Sequence, residues 1–135
     1  AEVDPDQDVK NRFHKIFSRL DQDQPLRVVS DQTCSPTYTG HLADAILRLM
    51  KTEKHGIVHV SASGFCTWFE FAKAIAARVK PKVTIEPVTA RDYGRPAKRP
   101  EYSVFDMGRY ETWTGHAMPS WQEGLNACLL EMGRL

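Results

Sequence analysis

The chain has 135 residues, of which 41% are hydrophobic and 26% are charged, and its formal net charge is +1. This length suits one domain, or a large piece of one, with an ordinary globular composition. The charge gives no general attraction to nucleic acid or membranes, and no apolar run approaches the roughly 20 residues that a membrane-spanning helix needs.

The first third of the chain shows helical and then extended patterns. A helix is predicted to begin at an Asp8 cap and to end before Pro25. Residues 26–29 follow as a short strand, and residues 30–40 form a polar loop before a second helix. The apolar faces of these two helices consist of Val9, Phe13, Ile16, Phe17 and Leu20, then Leu42, Ala45, Ile46, Leu49 and Met50.

The remainder alternates in the same way. Residues 57–60 are predicted as a buried strand and residues 83–85 as a second one, with Pro87 at its edge or end. Two capping boxes, at Thr67 and Ser120, predict helix starts. A short helix is expected from Asp106 towards Gly115. The inward positions of the two capped helices are Trp68, Phe71, Ala72, Ile75 and Val79, then Leu125, Cys128, Leu129 and Met132.

This order of elements predicts an α/β fold with few short strands and flanking helices. Three strands of about four residues make a poor sheet alone, because typical sheets have more strands. The chain also starts without a methionine and without a signal peptide's pattern. The sequence therefore predicts one part of a larger α/β protein.

The cysteines are odd in number and widely spaced: Cys34, Cys66 and Cys128. This pattern argues against a disulfide framework and favours a reducing compartment, so a cytoplasmic location is expected. His55 and His59 have a ligand-like spacing, but no second pair completes a zinc set, so no metal site is predicted.

A basic segment is the most distinctive local feature of the chain. Arg95, Lys98 and Arg99 lie within five residues, and both arginines precede a proline. Proline biases the preceding residue towards extended geometry, which displays a guanidinium for bidentate recognition of phosphate or carboxylate. The alternative is a solvated basic loop. This segment belongs to a polar loop at residues 91–106, and residues 31–38 form another. Their combined arginines, lysine, hydroxyls, amide and tyrosines suit a phosphorylated, hydroxyl-rich ligand.

Several familiar motifs of catalysis and cofactor binding are absent from the sequence. There is no G-x-G-x-x-G turn, phosphate loop, G-x-S-x-G elbow or His-Glu-x-x-His. None of the four tyrosines has a lysine four residues later. No catalytic residue and no cofactor-binding residue is therefore predicted in this chain.

Five segments in register resemble the dTDP-4-dehydrorhamnose reductases, which are extended short-chain dehydrogenases/reductases. Residues 31–37 are similar to their D-Q-x-G-S-P-T stretch, and residues 56–59 to their G-I-Y-H strand. Residues 66–75 resemble C-S-W-Y-E-F-A-x-x-I, residues 97–106 resemble A-x-R-P-x-Y-S-x-L-D, and residues 120–125 resemble their final x-W-x-E-A-L helix.

The resemblance implies a C-terminal, nucleotide-sugar-binding region over residues 1–135 of a Rossmann-type reductase. The family's N-terminal domain, which would bind NADPH or NADH and carry a Tyr-x-x-x-Lys pair, is absent from this chain. The expected partners are the dTDP-sugar substrate and that N-terminal domain, and exposed apolar surface predicts self-association. The implied substrate-binding residues are Arg99, Asn11, Gln32, Ser35, Thr37 and Tyr102.

Some of these assignments have alternatives. Gln32, Ser35 and Thr37 either line the substrate cleft or hold the loop's shape through local hydrogen bonds. Trp68 either faces the ligand or, as its helical period predicts, the core. The chain could also belong to another nucleotide-sugar epimerase or reductase, or to a non-catalytic interaction module of the same fold.

Two departures from the family pattern are present. Cys34 replaces a glycine, which would cost about 1–2 kcal/mol if the backbone there has positive φ. His41 replaces an aspartate that we expect to cap the second helix.

Overall fold

The computed structural model describes residues 12–94 and 98–135. Five helices and four short strands occur in these residues, which confirms the predicted α/β class. The Asp8 cap, Asn11 and Arg95 lie outside the described residues. In chain order the elements are α1 (Arg12–Asp21), β1 (Leu26–Val29), β2 (Thr33–Cys34), α2 (Thr39–Met50), β3 (Cys66–Thr67), α3 (Trp68–Val79), β4 (Ile85–Val88), α4 (Gly108–Thr114) and α5 (Trp121–Glu131).

The strands form two separate pairs. β1 lies parallel to β4, with Leu26 opposite Ile85 and Val29 opposite Val88. β2 is antiparallel to β3. The prediction for residues 83–85 places the strand two residues too early, because the Val83 amide donates to the Lys80 carbonyl in a turn after α3. Pro87 lies inside β4, which pairs only with β1 among the described residues, so the proline occupies an edge strand.

The main core lies between α1, α3 and α5. Phe71 is at its centre, with ring centroids 6.3 Å from Phe13 and 5.9 Å from Trp121. Ile75 and Leu129 have no exposed surface. Trp68 is half-buried and packs against this cluster, which agrees with its helical period.

Both predicted capping boxes are confirmed. Thr67 accepts from the Glu70 amide at 3.1 Å, and the Glu70 carboxylate accepts from the Thr67 amide at 2.7 Å. Ser120 and Glu123 make the same reciprocal pair at 3.2 and 2.7 Å. Each pair satisfies amides that the first helical turn leaves without partners, so α3 and α5 begin where the sequence predicts.

The short helix predicted from Asp106 towards Gly115 is present, but it begins two residues later than Asp106. The Asp106 carboxylate accepts from the Gly108 amide at 2.8 Å, and α4 begins at Gly108. Gly115 ends the helix with φ of 71°, a left-handed conformation that glycine adopts at little cost.

The predicted strand at residues 57–60 is wrong. These residues run without strand pairing, and 75% of the Ile57 surface is exposed. Val58 and Val60 are half-buried against a small cluster of Ala45, Tyr110 and Met118. Exposed and half-buried side chains do alternate along residues 57–60, but no neighbouring strand in the described part of the chain hydrogen-bonds to this segment.

The helix α2 also differs from expectation. It begins at Thr39 after an N-cap residue, Tyr38, which makes no capping hydrogen bond through its side chain. His41 therefore lies in the first turn of the helix and not at its cap, so the predicted loss of a cap is wrong. Ala45 is buried, whereas Ile46 and Met50 are 49% and 75% exposed.

The substitution at Cys34 carries no backbone strain. Cys34 lies in β2, and Asp23 is the only described residue other than glycine with positive φ. A cysteine is therefore accommodated here without the penalty that a left-handed conformation would impose.

Exposed apolar side chains are numerous, as the sequence analysis predicts for this chain. They include side chains on α2, on the unpaired segment and on the loops near β2 and β3. No helix in residues 12–94 and 98–135 is long and apolar enough to cross a membrane.

Candidate functional site

The two polar loops identified in the sequence meet at Thr33. The Thr33 amide donates to the Glu101 carbonyl at 2.7 Å, and the Ser103 amide donates to the Thr33 carbonyl at 3.0 Å. The Ser103 hydroxyl donates to the same carbonyl at 3.2 Å. These bonds join residues about seventy positions apart, and they place residues 101–103, just after the basic segment, beside the 31–38 loop.

The other edge of this loop is attached to the start of α3. The Trp68 amide donates to the Gln32 carbonyl at 3.4 Å, and Thr33 and Cys34 pair with Thr67 and Cys66. The loop is thus held from both sides, by residues 101–103 and by β3. Gln32 itself is only 6% exposed.

The hydroxyl groups of Ser35 and Thr37 serve the loop's own structure. Ser35 Oγ donates to the Gly64 carbonyl at 2.7 Å. Thr37 Oγ1 donates to the Ser35 carbonyl at 3.0 Å and accepts from the Ala62 amide at 2.9 Å. Both hydroxyl protons are used within the chain, so only oxygen lone pairs are left for a ligand.

A third segment joins the two loops. Both Asp31 carboxylate oxygens accept from the Ala90 amide, at 3.0 and 2.9 Å. The turn that begins there is closed by Thr89, whose hydroxyl donates to the Asp92 carboxylate at 2.8 Å and accepts from its amide at 3.1 Å. Asp31 therefore has a positioning role that its sequence context did not reveal.

Arg99 and Tyr102 are displayed on the outer side of this junction. Arg99 is exposed and makes no hydrogen bond or ion pair with another residue of the described part. Tyr102 is 62% exposed, and its ring lies edge-on to Phe65 with centroids 6.2 Å apart. An exposed guanidinium can bind an anionic group, and exposed aromatic rings can contact an apolar or planar part of a ligand.

A cleft of about 550 Å³ lies between α1, β1 and the turn at residues 91–94. Trp68 and Tyr93 contribute aromatic surface to its lining, and His14, Lys15 and Arg27 contribute polar and cationic groups. None of the predicted substrate-binding residues that the structure describes lines this cleft. It adjoins them through Trp68, whose amide is bonded to Gln32.

Sequence reasoning missed Phe65 and Tyr93 as candidate site residues. Phe65 is 60% exposed directly after Gly64, which has a positive φ of 71°. An apolar ring after a glycine turn, outside any helical period, is a signal that could have indicated it. Tyr93 lies within the polar loop at residues 91–106 that the sequence indicates, but no local pattern distinguishes it from the other polar residues there.

Hydrogen bonds to two carboxylates of α5, Glu123 and Glu131, shift pKa values in this part of the molecule. The Ser120 hydroxyl and amide donate to Glu123 and hold the pKa of that carboxyl below its ordinary value. The Tyr38 hydroxyl donates to Glu131, which raises the pKa of Tyr38. Neighbouring His41 Nδ1 is buried without a hydrogen-bond partner in the described residues. The hydrogen bond between Tyr38 and Glu131 attaches the start of α2 to the end of α5.

The short strand pairs, the flanking helices and the three joined loops define a ligand-binding part of an α/β protein. Residues 6–134 match the family model described as the RmlD substrate binding domain. The chain therefore belongs to this family, and the resemblance found in the sequence is confirmed.

Similar proteins agree with this assignment. The chain is 44% identical over 121 residues to the spore coat polysaccharide biosynthesis protein SpsK of Bacillus subtilis (strain 168), covering 90% of this chain and 42% of that protein. It is 31% identical over 128 residues to a dTDP-4-dehydrorhamnose reductase of Aggregatibacter actinomycetemcomitans, covering 85% of this chain and 44% of that enzyme.

Solved structures show the same fold. A dTDP-4-dehydrorhamnose reductase of Bacillus anthracis str. Ames, in complex with NADP, superposes with a TM-score of 0.81 at 37% identity, covering 90% of this chain and 43% of that one. The Clostridium acetobutylicum reductase superposes with a TM-score of 0.85 at 31% identity, covering 91% and 44%. The chain thus spans less than half the length of the relatives it matches.

Proposed function

We propose that this chain is the nucleotide-sugar-binding portion of an NAD(P)H-dependent reductase that converts dTDP-4-dehydro-L-rhamnose to dTDP-L-rhamnose. The observation that carries the proposal is the junction at Thr33. It joins the 31–38 loop to the segment that displays Arg99, in a chain of the RmlD substrate binding domain family.

Arg99 is the proposed ligand for the diphosphate. A guanidinium has five N–H donors in a planar fork, and none of those of Arg99 is used by another described residue. The backbone bonds at Glu101 and Ser103 fix the segment just after it, so the side chain starts from an anchored position. Tyr102, on the same anchored segment, is proposed to contact the substrate through its exposed ring.

The cleft beside β1 is the proposed place for the nucleoside. Its volume lies within the usual range of small-molecule pockets, and the indole of Trp68 and the phenol of Tyr93 offer surface to a planar base. Asn11, which lies outside the described residues, is proposed from the family resemblance to contact the phosphates. Gln32, Ser35 and Thr37 are proposed to act mainly by holding the loop that separates the cleft from Arg99.

The chemistry would require a second domain. An N-terminal Rossmann domain of the whole protein would bind NADPH or NADH and supply the tyrosine that protonates the C4 oxygen, with its lysine partner. We propose that this cytoplasmic domain docks on exposed apolar side chains of the chain, and that self-association occurs in its absence.

Calorimetric titration of the full-length protein with dTDP-rhamnose tests the proposal. A charged hydrogen bond contributes about 1.5–3 kcal/mol, so Arg99→Ala is expected to weaken binding about ten- to hundredfold. Lys82→Ala, which removes an exposed positive charge in the turn before β4, should leave the affinity unchanged. Binding that is equally strong in the wild type and in Arg99→Ala would remove Arg99 from the site.

The titration also separates the enzyme from a non-catalytic module, which would take up no dTDP-sugar. A second candidate function is reduction of another dTDP-4-keto sugar. A probable dTDP-4,6-dihydroxy-2-methyloxan-3-one 4-ketoreductase of Streptomyces antibioticus is 33% identical over 102 residues, similar to the identity with the rhamnose enzyme. Turnover of the two keto sugars by the full-length protein distinguishes these activities.

A further inference from the structure

Two of the three cysteines lie directly opposite each other in the sheet. Cys34 of β2 and Cys66 of β3 are register partners in an antiparallel pair, so their side chains project from the same face. The structure holds both as thiols, with Cys34 half-buried and Cys66 3% exposed. Residues far apart in sequence are thereby brought to the spacing of a single ladder step.

This placement fits the geometry of a disulfide. Thr33 directs its amide and carbonyl to the 101–103 segment, so those of Cys34 point the other way, towards β3. Cys34 and Cys66 are therefore a hydrogen-bonded pair, with Cα atoms about 5.5 Å apart. Disulfides accept Cα separations of about 4.4–6.8 Å, but they need Cβ atoms about 3.8 Å apart. A hydrogen-bonded pair holds its Cβ atoms nearer about 5.5 Å, so the two strands must close locally by about 1.5 Å.

We infer that Cys34 and Cys66 form a reversible disulfide, a redox modification site that fastens the 31–38 loop to the start of α3. The ladder already places the two thiols side by side on one face, so only this local closure of the strands is needed. The mismatch in Cβ separation leaves strain in the bond, and strained disulfides are the more easily reduced ones.

The oxidant we name is a small-molecule disulfide, RSSR, such as oxidised glutathione. The Cys34 thiolate attacks one sulfur of RSSR, forms a mixed disulfide and releases RS⁻, which takes up a proton. The Cys66 sulfur, after losing its proton, then attacks the Cys34 sulfur and displaces the second RS⁻. Two protein thiols are oxidised, and RSSR is reduced to two RSH.

The environments of the two thiols set the order of these steps. Burial, and then the proximity of Cys34 and Glu70, raise the pKa of the Cys66 thiol to about 12. Cys66 is therefore a poor target for oxidants in solution, whereas half-buried Cys34 is the accessible partner. Once Cys34 carries the mixed disulfide, Cys66 needs no diffusion to reach it.

Cys128 supplies an internal control. It lies in α5, where its thiol contacts the Met132 sulfur at 4.0 Å, and it is not a register partner of either cysteine. Trypsin cuts the sequence so that the three cysteines fall in separate peptides, residues 28–48, 55–73 and 110–134. A cross-link can therefore be assigned without ambiguity.

The test is oxidation of the folded, full-length protein with oxidised glutathione, followed by alkylation and non-reducing peptide mapping. The expected product joins peptides 28–48 and 55–73, with a mass lower by the two hydrogens lost, and dithiothreitol separates them again. Cys34→Ser should abolish the cross-link, and Cys128→Ser should leave its yield unchanged. Protein unfolded in urea before oxidation should give mixed pairings that include peptide 110–134.

Three results would overturn the inference. They are thiols that remain alkylatable at both Cys34 and Cys66, a glutathione adduct on Cys34 that Cys66 does not displace, and a native cross-link through Cys128. Because the product is read by mass, none of these depends on whether the protein is a rhamnose-pathway enzyme.

Discussion

The helices α2 and α3 have equal length but differ in how they are capped and in how many residues they bury. Each has twelve residues, and α3 starts with a full capping box and buries four residues in the main core. α2 starts without a side-chain cap and buries only Ala45. The difference teaches that an apolar stripe alone does not bury a helix, because burial needs a partner surface. α3 finds one in α1 and α5, whereas much of the apolar stripe of α2 remains exposed.

The largest expected effect separates these two regions. Leu129→Ala removes a side chain with no exposed surface and should lower the free energy of unfolding by about 2–5 kcal/mol. Leu47→Ala, on the exposed side of α2, should change it by less than about 0.5 kcal/mol in this chain alone. Urea denaturation measures both. A large loss at Leu47 would mean that another surface covers α2.

A smaller effect is expected where the site loop is attached to the scaffold. Thr37→Val takes away the acceptor of the Ala62 amide, and an unsatisfied buried amide costs about 1–3 kcal/mol. Thr112→Val is the matched control, since that hydroxyl only donates to the Gly108 carbonyl within exposed α4. Equal destabilisation by the two variants would argue against a structural role for Thr37.

Loss of a cap sharpens the contrast between the helices. Ser120→Ala breaks the box at the start of α5 and should cost about 1 kcal/mol. Thr39→Ala, in the first turn of α2, removes no capping bond and should be nearly neutral. Thermal unfolding of the two variants checks the comparison, and a similar loss at Thr39 would show that α2 has a cap in solution.

The smallest effect is a pH dependence at Glu123. Hydrogen bonds from Ser120 lower the pKa of Glu123 in the folded protein, so its ionised form adds stability above the unfolded value of 4.5. That stability is lost as the pH falls through the lower, folded pKa. The stability difference between wild type and Glu123→Gln should therefore shrink on acidification. A constant difference in urea midpoint between neutral and acidic pH would contradict it.

Local signals were read correctly from the sequence. The two capping boxes, β1 and the inward face of α3 depend on residues within a few positions of one another, and they appear as predicted. On α5 the prediction is wrong at Met132, which follows the helix and is 42% exposed. The cap assigned to His41 and the start of β4 were wrong by two or three residues. Both errors concern where a turn gives way to a regular element, which neighbouring contacts decide.

The candidate site was only partly accessible from the sequence. The two polar loops could be chosen by composition and proline placement, whereas Arg99 was chosen within the second loop through the family resemblance. That the loops meet at Thr33, or that Asp31 holds the turn at Ala90, could not be chosen, because these bonds join residues separated by many positions. The wrong prediction of a strand at residues 57–60 has the same cause. The alternation of apolar residues predicts a strand, but whether a neighbouring strand pairs with it depends on distant segments.

The sequence by itself determined the helices, the two capping boxes, the fold class and the family. Only the tertiary structure decided that the Ser35 and Thr37 hydroxyls donate hydrogen bonds to backbone carbonyls, and that Cys34 faces Cys66. The physical reason is the range of the interactions. Capping and periodicity act within one or two turns of chain, whereas strand pairing and loop attachment depend on which distant segments the burial of the core brings together.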